Sequence, residues 1–174
     1  MAILPAEGVT FEYDIPVVVV GAGACGLTAA LTASDAGAEV LVLERDETPT
    51  GSTSLSAGLI PAACTKLQKA AGIEDSFELF AADLVAKTHD HTPHDMAMRA
   101  AETAGPMIDW LVETHGIEFE CVTGFIYPGH SRMRMHGPKS RTGADLEQAL
   151  LAAASKAGID VMTGASVEDL YAEA

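Results

Sequence analysis

The feature that most constrains the fold is an apolar run that leads directly into three closely spaced glycines. Ile15 to Val20 is β-branched apart from one proline, and Gly21, Gly23 and Gly26 follow in a G-x-G-x-x-G pattern. An apolar run without alternation is typical of a buried parallel strand. From Gly23 onward the apolar spacing becomes helical, and Gly37 is placed to end the helix. We therefore predict a strand, a tight turn and a helix in immediate succession.

A second apolar run completes this unit. Residues 40–43 predict another buried strand, which ends at Glu44. Strand, glycine turn, helix and strand within about 30 residues form one βαβ unit. In dinucleotide-binding units the glycines allow the tight turn, the approach of a pyrophosphate and the close packing of helix on strand. The residues expected to cradle the phosphates are Gly21, Ala22, Gly23, Ala24, Cys25 and Gly26.

Glu44 restricts which nucleotide can bind. A carboxylate at the end of the second strand can accept hydrogen bonds from both ribose hydroxyls of an adenosine. The same charge would repel a 2′-phosphate, which argues against NADP. The alternative is a tight turn with an incidental acid, and these residues alone leave FAD and NAD both open.

The loop at residues 50–58 favours FAD. It is rich in Gly, Ser and Thr and shows no apolar period. Hydroxyl groups can donate to phosphate and ribityl oxygens, and small residues let a flat ring system lie against the main chain. An NAD-dependent dehydrogenase domain needs no such loop after its second strand, and it stays the alternative.

Taken together, these motifs resemble a known family. Glu44-Arg45, the Gly-Ser-Thr run and Ser56-Ala57-Gly58 are similar to the FAD-binding segment of the fumarate reductase and succinate dehydrogenase flavoprotein superfamily. That superfamily includes L-aspartate oxidase, urocanate reductase and 3-ketosteroid dehydrogenases. Residues 161–170 resemble its strand pair whose backbone contacts adenine. The resemblance adds these cofactor-binding residues: Arg45, Gly51, Ser52, Thr53, Ser56, Ala57, Gly58 and Val167.

The resemblance implies both a fold and an activity. The fold is α/β, a Rossmann-like FAD-binding domain with a parallel sheet and a helical insertion after the second strand. The activity is that of an FAD-dependent oxidoreductase, with hydride transfer between a substrate C–H and flavin N5. Residues 1–174 would be the amino-terminal part of the domain, lacking the capping domain and the carboxyl-terminal FAD segment of the family. No catalytic residue is assigned, because the family's catalytic residues lie in those later parts.

Two consequences follow for how the chain works. As a fragment it would be inactive by itself; alternatively, it is a non-catalytic FAD-binding subunit whose partner chain carries the cap and the rest of the FAD site. The family's membrane-bound reductases bond the flavin covalently to a histidine in the loop after the second strand. This chain has Gly51 at that place and no histidine from Glu44 to Gly58, so non-covalent FAD is expected.

Helical patterns dominate the stretch after this loop. Asp75 is placed to cap a helix over residues 76–87, and Thr92-Pro93 to start another, which Gly105-Pro106 should break or kink. The remaining expectations are a strand within residues 118–126, a polar loop over 127–141, a helix from Thr142 to Gly158, and strands at 159–162 and 167–170.

Charge and cysteine content exclude several classes of partner. The formal net charge is −15, from 25 acidic and 10 basic residues, which argues against nucleic acid and anionic membranes. Three scattered cysteines without a C-x-x-C pair indicate reduced thiols. The chain shows neither a signal peptide nor an apolar run of the roughly 20 residues that span a bilayer. A soluble, cytoplasmic protein is therefore expected.

One basic cluster interrupts the acidic sequence between residues 130 and 141. His130, Arg134 and His136 are candidates for contact with a substrate such as a carboxylate, since cations there would attract an acid. The alternative is a surface loop bonded to other parts of the protein. Residues 89–94 contain three histidines, but their spacing fits no common zinc pattern, and no metal site is expected.

Overall fold

The polypeptide folds into two units, which the computed structural model describes over residues 2–173. Residues 2–56 and 146–173 belong to the first unit, and residues 57–145 to the second. In chain order the elements are β1 (Ala2–Pro5), β2 (Val17–Val20), α1 (Ala24–Asp35), β3 (Val40–Leu43), β4 (Ile60–Pro61), α2 (Lys66–Ala70), α3 (Phe77–Lys87), α4 (His94–Glu113), β5 (Glu120–Cys121), β6 (Met135–Gly137), α5 (Gly143–Lys156), β7 (Asp160–Met162) and β8 (Asp169–Ala172).

The first unit is built on a parallel sheet in the order β2-β3-β7. Val17 lies opposite Val40, and Leu41 opposite Asp160. Helix α1 crosses over between β2 and β3 and buries Leu27, Ala30 and Leu31 completely. The predicted βαβ unit is therefore confirmed, with β3 at the predicted bounds. A second parallel pair, β1 with β8, was not foreseen from the sequence.

Strand β2 differs from its prediction in burial. Val18 is 47% and Val20 58% exposed, whereas Val17 and Val19 are half-buried. The expectation of burial on both faces is thus wrong for this strand. Helix α1 covers one face of the sheet, and no part of the described chain buries these two valines on the other.

The second unit is the predicted helical insertion, and it also contains a small antiparallel sheet. Helices α3 and α4 pack on each other, while the sheet has the order β4-β6-β5. Strand β6 lies inside the stretch predicted to be a polar loop, and β5 is shorter than the strand predicted there. The apolar core of the helix pair consists of Ala63, Phe80, Ala81, Val85, Ala97 and Ala101.

Helix α4 continues through Gly105-Pro106, so of the two predicted outcomes, a break or a kink, the break is wrong. A proline inside a helix removes one hydrogen bond and crowds the preceding turn. Here glycine is required by close packing, since a Cβ at Gly105 would overlap the carbonyl oxygen of Ala63. Buried Ile108 and Leu111 continue the apolar face beyond the proline. Tertiary packing therefore outweighs the local preference against helix.

The predicted helix starts need corrections of one residue. Ser76 caps α3 by accepting a hydrogen bond from the Leu79 amide at 3.1 Å, so Asp75 is not the cap. Pro93, not Thr92, stands at the cap position of α4, without a side-chain hydrogen bond. Strand β8 lies two residues further on than predicted, so that Val167 precedes it.

Over residues 2–173, none of the helices combines the length and apolar character needed to cross a bilayer.

Candidate dinucleotide-binding site

The glycine turn connects the end of β2 to the start of α1. Gly21 has a φ of +101°, a left-handed value that favours glycine. Its amide donates to the carbonyl of Leu43 at 2.7 Å, which ties the turn to the neighbouring strand. A Cβ at Gly26 would overlap the Gly21 carbonyl oxygen. The turn therefore requires these two glycines for different reasons, namely backbone conformation and close approach.

The first turn of α1 offers backbone N–H groups to a ligand. Gly23 is the cap residue in an extended conformation, and it has no side-chain cap hydrogen bond. Among the first amides, that of Ala24 donates to Thr53 Oγ1 at 3.0 Å. The early N–H groups of a helix lack partners within the helix, and with the helix dipole they bind phosphate well. Cys25 is exposed at this helix start, whereas Ala22 is buried.

Glu44 joins the end of β3 to the glycine turn. One carboxylate oxygen accepts from the Ala22 amide at 2.8 Å, and the other from the Asp46 amide at 3.0 Å. These hydrogen bonds, the one from Asp46 first, lower the pKa of Glu44 below its ordinary value. Each oxygen of an ionised carboxylate can accept a further hydrogen bond. The side chain can thus receive ribose hydroxyls while it holds the turn.

A cavity of about 190 Å³ lies beside Glu44. Val167 lines it, and the Ala165 amide donates to the Glu44 carbonyl at 2.8 Å. The predicted adenine-contacting residue and the predicted ribose-binding residue therefore border the same space. Arg45, which also borders it, is exposed and forms an ion pair with Asp46 at 3.1 Å. The full lining is Val20, Gly21, Leu43, Glu44, Arg45, Ala165, Ser166 and Val167.

The loop after β3 is held by its own short-range hydrogen bonds. Ser56 Oγ donates to the Thr53 carbonyl at 2.7 Å, and Ser54 Oγ donates to the Gly51 carbonyl at 3.2 Å. Thr53 also binds the start of α1, so the loop is fixed against the glycine turn. Ser52 and Gly51 are exposed. The hydroxyl residues therefore order the loop, a use that the sequence prediction had not assigned to them.

The last two loop residues of the prediction belong to the second unit. Ala57 is exposed and Gly58 is buried. Gly58 has a φ of +63°, and a Cβ there would overlap the carbonyl oxygen of Thr142. The backbone conformation and the close packing both account for a glycine at this position, so a bound ligand is not needed to explain it. A contact of these residues with the flavin remains a prediction.

The second unit also contains the predicted substrate residues, and two of them are core residues. Arg134 is fully buried; its guanidinium binds Asp75 at 2.7 Å and Asp83 at 2.5 Å. His136 Nδ1 lies 2.7 Å from the Arg134 carbonyl, and Nε2 lies 2.8 Å from Thr65 Oγ1. Burial lowers the pKa of His136, which favours the neutral ring. Because a carbonyl oxygen can only accept, Nδ1 is the donor, and Nε2 of a neutral ring then accepts from Thr65. To contact a substrate, either side chain would have to give up buried partners.

His130 differs from these two residues. Its ring lies edge-on to Phe80, with 5.7 Å between the centroids, and next to Tyr127. Nδ1 is buried, and within the described part of the chain it has no hydrogen-bond partner. Burial, and then the charge of Arg134, lower the pKa of His130. This ring nitrogen therefore has unused hydrogen-bonding capacity, but it is enclosed by the protein and not open to a ligand.

One buried acid was missed by the sequence prediction. Glu147 on α5 is 1% exposed, in the first unit. A signal was present, because Leu150 and Ala154 follow at helical spacing and are both buried. A glutamate within an apolar stripe of a helix therefore indicates a buried acid.

The glycine turn, the helix start and the strand-end carboxylate define a dinucleotide-binding α/β protein. The arrangement fits FAD, since amides for the pyrophosphate, a carboxylate for the ribose and a cavity beyond it lie in one unit.

Known proteins identify the class further. The FAD binding domain family matches residues 16–174. An NADH:fumarate oxidoreductase of Klebsiella pneumoniae is 37% identical over 161 residues, which are 91% of this chain and 17% of that protein. A urocanate reductase of Eggerthella lenta is 36% identical over 140 residues, 80% of this chain and 23% of that protein. The open conformation of a flavocytochrome c3 fumarate reductase superposes with a TM-score of 0.79 at 31% identity, covering 88% of this chain and 27% of that one.

This chain belongs to the FAD binding domain family, and within it to the fumarate reductase type of flavoproteins. The resemblance to that superfamily and the prediction of FAD as cofactor are confirmed, and FAD is thereby favoured over the NAD alternative. The chain spans about a fifth of the length of the curated relatives it matches.

Proposed function

We propose that this chain is the cofactor-binding part of a flavin-dependent reductase that holds FAD without a covalent bond. The observation that carries the proposal is the joint contact of Glu44 with the glycine turn and with the cavity that Val167 lines. A capping domain and a returning FAD segment, on the same or on a second polypeptide, would complete the active site.

When bound, FAD would supply hydride transfer between a substrate C–H and its N5 atom. The role of this chain is to bind and orient. The amides at the start of α1 would receive the pyrophosphate, helped by the positive end of the helix dipole. Glu44, kept ionised by two backbone hydrogen bonds, would accept from the adenosine ribose. Thr53 would keep the loop against the glycine turn, so that both cofactor halves meet a preformed surface.

We infer an unsaturated carboxylate as the substrate class. Fumarate and urocanate, which name two of the relatives, are both carboxylates with a reducible C=C bond. Of the three predicted substrate residues, His130 has an unused ring nitrogen, whereas Arg134 and His136 are committed to buried partners. The catalytic residues are not assigned to this chain.

The test is a visible absorption spectrum of the purified chain, mixed with FAD and passed through gel filtration. We expect flavin peaks to elute with the protein and to be released completely on denaturation, because no histidine lies in the loop from Glu44 to Gly58. NAD at the same concentration is the control and should leave the protein unchanged. A chain that takes up no FAD at any concentration would refute the proposal, and flavin that stays with the denatured polypeptide would refute non-covalent binding.

A further inference from the structure

The cofactor-binding residues of the first unit do not explain why Glu147 is buried. Its residue exposure is 1%, and within residues 2–173 neither carboxyl oxygen has a hydrogen-bond partner. A buried carboxylate without a partner is strongly unfavourable, and the group stays neutral instead. Burial accordingly raises the pKa of Glu147 above its ordinary value.

The position of Glu147 connects it with the cofactor loop. The Ser54 amide approaches its carboxyl group and opposes the effect of burial, although the contact falls short of a full hydrogen bond. The preceding residue, Thr53, accepts from the Ala24 amide at the start of α1. Two consecutive loop residues therefore contact the two sites: Ser54 approaches Glu147, and Thr53 binds the start of α1.

The charge that acts on Glu147 favours its neutral form. Glu44, at the end of β3, is the charged group that acts on it, and it raises the pKa further. Residues 50–56 of the loop carry no charge, and α1 carries none before Asp35. On its own helix, Asp145 stands two positions earlier and is exposed. A pyrophosphate bound at the glycine turn would add negative charge near Glu147 and would favour its neutral form further.

We propose that Glu147 is a positioning residue that carries a proton beneath the cofactor loop, and that FAD binding by this chain is coupled to protonation of this carboxyl group. The inference rests on the proposed binding of FAD at the glycine turn. The proton comes from solvent and stays on the Glu147 carboxyl, and no other bond changes. The protonated acid can donate a hydrogen bond to the loop backbone, which a carboxylate cannot do.

The direction of the pH dependence follows from linkage. Bound FAD favours the protonated acid, so FAD affinity falls as pH rises through the pKa of Glu147 in the FAD-free protein. This window lies above the ordinary glutamate value of 4.5. Within it the dissociation constant rises by up to about tenfold per pH unit, the limit for one proton. Glu44 titrates below the ordinary value and leaves this window unaffected.

The experiment compares the chain with E147Q, which keeps the shape of the side chain and cannot ionise. FAD binding is measured by calorimetry across a pH series, in two buffers of different ionisation enthalpy, neither of them phosphate. We expect proton uptake and a falling affinity in the native chain, and neither in E147Q. E39Q, the same change at an exposed glutamate of the same unit, is the matched control and should behave as the native chain.

Infrared spectroscopy of the FAD-free chain provides a readout that needs no variant to fold. We expect a protonated-carboxyl band to persist above pH 4.5, and its absence would overturn the neutral acid. FAD binding with identical pH profiles in the native chain and E147Q would overturn the coupling alone. No FAD binding by either protein at any pH would overturn the proposed function, and the coupling with it.

Discussion

The two units use polar groups in opposite ways. At the glycine turn of the first unit, Glu44 and the amides of α1 keep hydrogen-bonding capacity beside a cavity. In the second unit the Arg134 guanidinium forms ion pairs with Asp75 and Asp83, and the side chains of Arg134 and Asp75 are fully buried. Burial alone would raise the pKa of Asp83, but hydrogen bonds from Arg134 and Ser131 outweigh it and lower that pKa.

This difference shows that residue type alone does not identify a binding group. Arg134 and Glu44 were both predicted to contact a ligand, one as a cation and one as an anion. Glu44 borders a cavity, and its carboxylate oxygens can accept further hydrogen bonds. By contrast, every hydrogen bond described for the Arg134 guanidinium goes to a protein carboxylate. Changes in the second unit should therefore affect stability, and changes at the glycine turn should affect FAD affinity.

The largest effect is expected from R134M. Removing the guanidinium leaves the buried Asp75 carboxylate with neutral hydrogen-bond donors but without its cationic partner. The loss of a buried ion-pair partner costs about 3–5 kcal/mol of unfolding free energy. Denaturant titration measures it, and R132M, at an exposed arginine two residues earlier, should change stability by less than about 0.5 kcal/mol. Equal effects of both variants would show that the buried ion pairs do not stabilise the second unit.

G26A and G105A compare close backbone contacts in the two units. Each added Cβ would overlap a carbonyl oxygen, that of Gly21 in one case and that of Ala63 in the other. We expect each to lower stability by about 1–3 kcal/mol. Only G26A should also weaken FAD binding, by more than about tenfold, or 1.4 kcal/mol.

The control for this pair is G51A, at an exposed position where an added Cβ meets no atom within 4 Å. Its stability should be unchanged. The distinction between the units would fail if G105A lowered the FAD affinity of the folded protein as much as G26A does. Fluorescence quenching of FAD at a temperature where both variants are folded makes that measurement.

E44Q tests the carboxylate that faces the cavity. We expect FAD affinity to fall by about tenfold, because a charged acceptor of ribose hydroxyls is replaced by a neutral amide. The pKa of Glu44 is lowered in the folded chain, so its stabilising contribution is present above the ordinary value of 4.5 and is lost as pH falls through the folded value.

The stability difference between the native chain and E44Q should therefore disappear in acid. Denaturant titrations of both proteins over a pH series would reveal this. A difference that persists at the lowest pH, where both side chains are neutral, would contradict the assignment to ionised Glu44.

The smallest effect is expected from T53V, which keeps the shape of the side chain but removes the acceptor for the Ala24 amide. The loss of one hydrogen bond costs about 0.5–1.5 kcal/mol. T53S keeps the hydroxyl and should retain most of the stability. If T53V and T53S unfold alike, the contact between loop and turn does not contribute.

Much of the first unit could be predicted because its signals are local. The bounds of β3, the glycine turn and the end of α1 near Gly37 follow from apolar runs and from the conformational freedom of glycine. The second unit was predicted less well. The helix through Gly105-Pro106 and strand β6 depend on partners that are distant along the chain, and local propensity points against both.

The sequence by itself determined the βαβ unit, the glycine turn and the family, because spacing and glycine positions depend directly on backbone geometry. Only the tertiary structure decided which charged groups are available to a ligand. Arg134 stands in a basic cluster and Glu147 in an apolar stripe, yet the first is neutralised by buried carboxylates and the second is buried with no partner among the described residues. The reason is physical: desolvation and pairing depend on distances in space, which the order of residues does not specify.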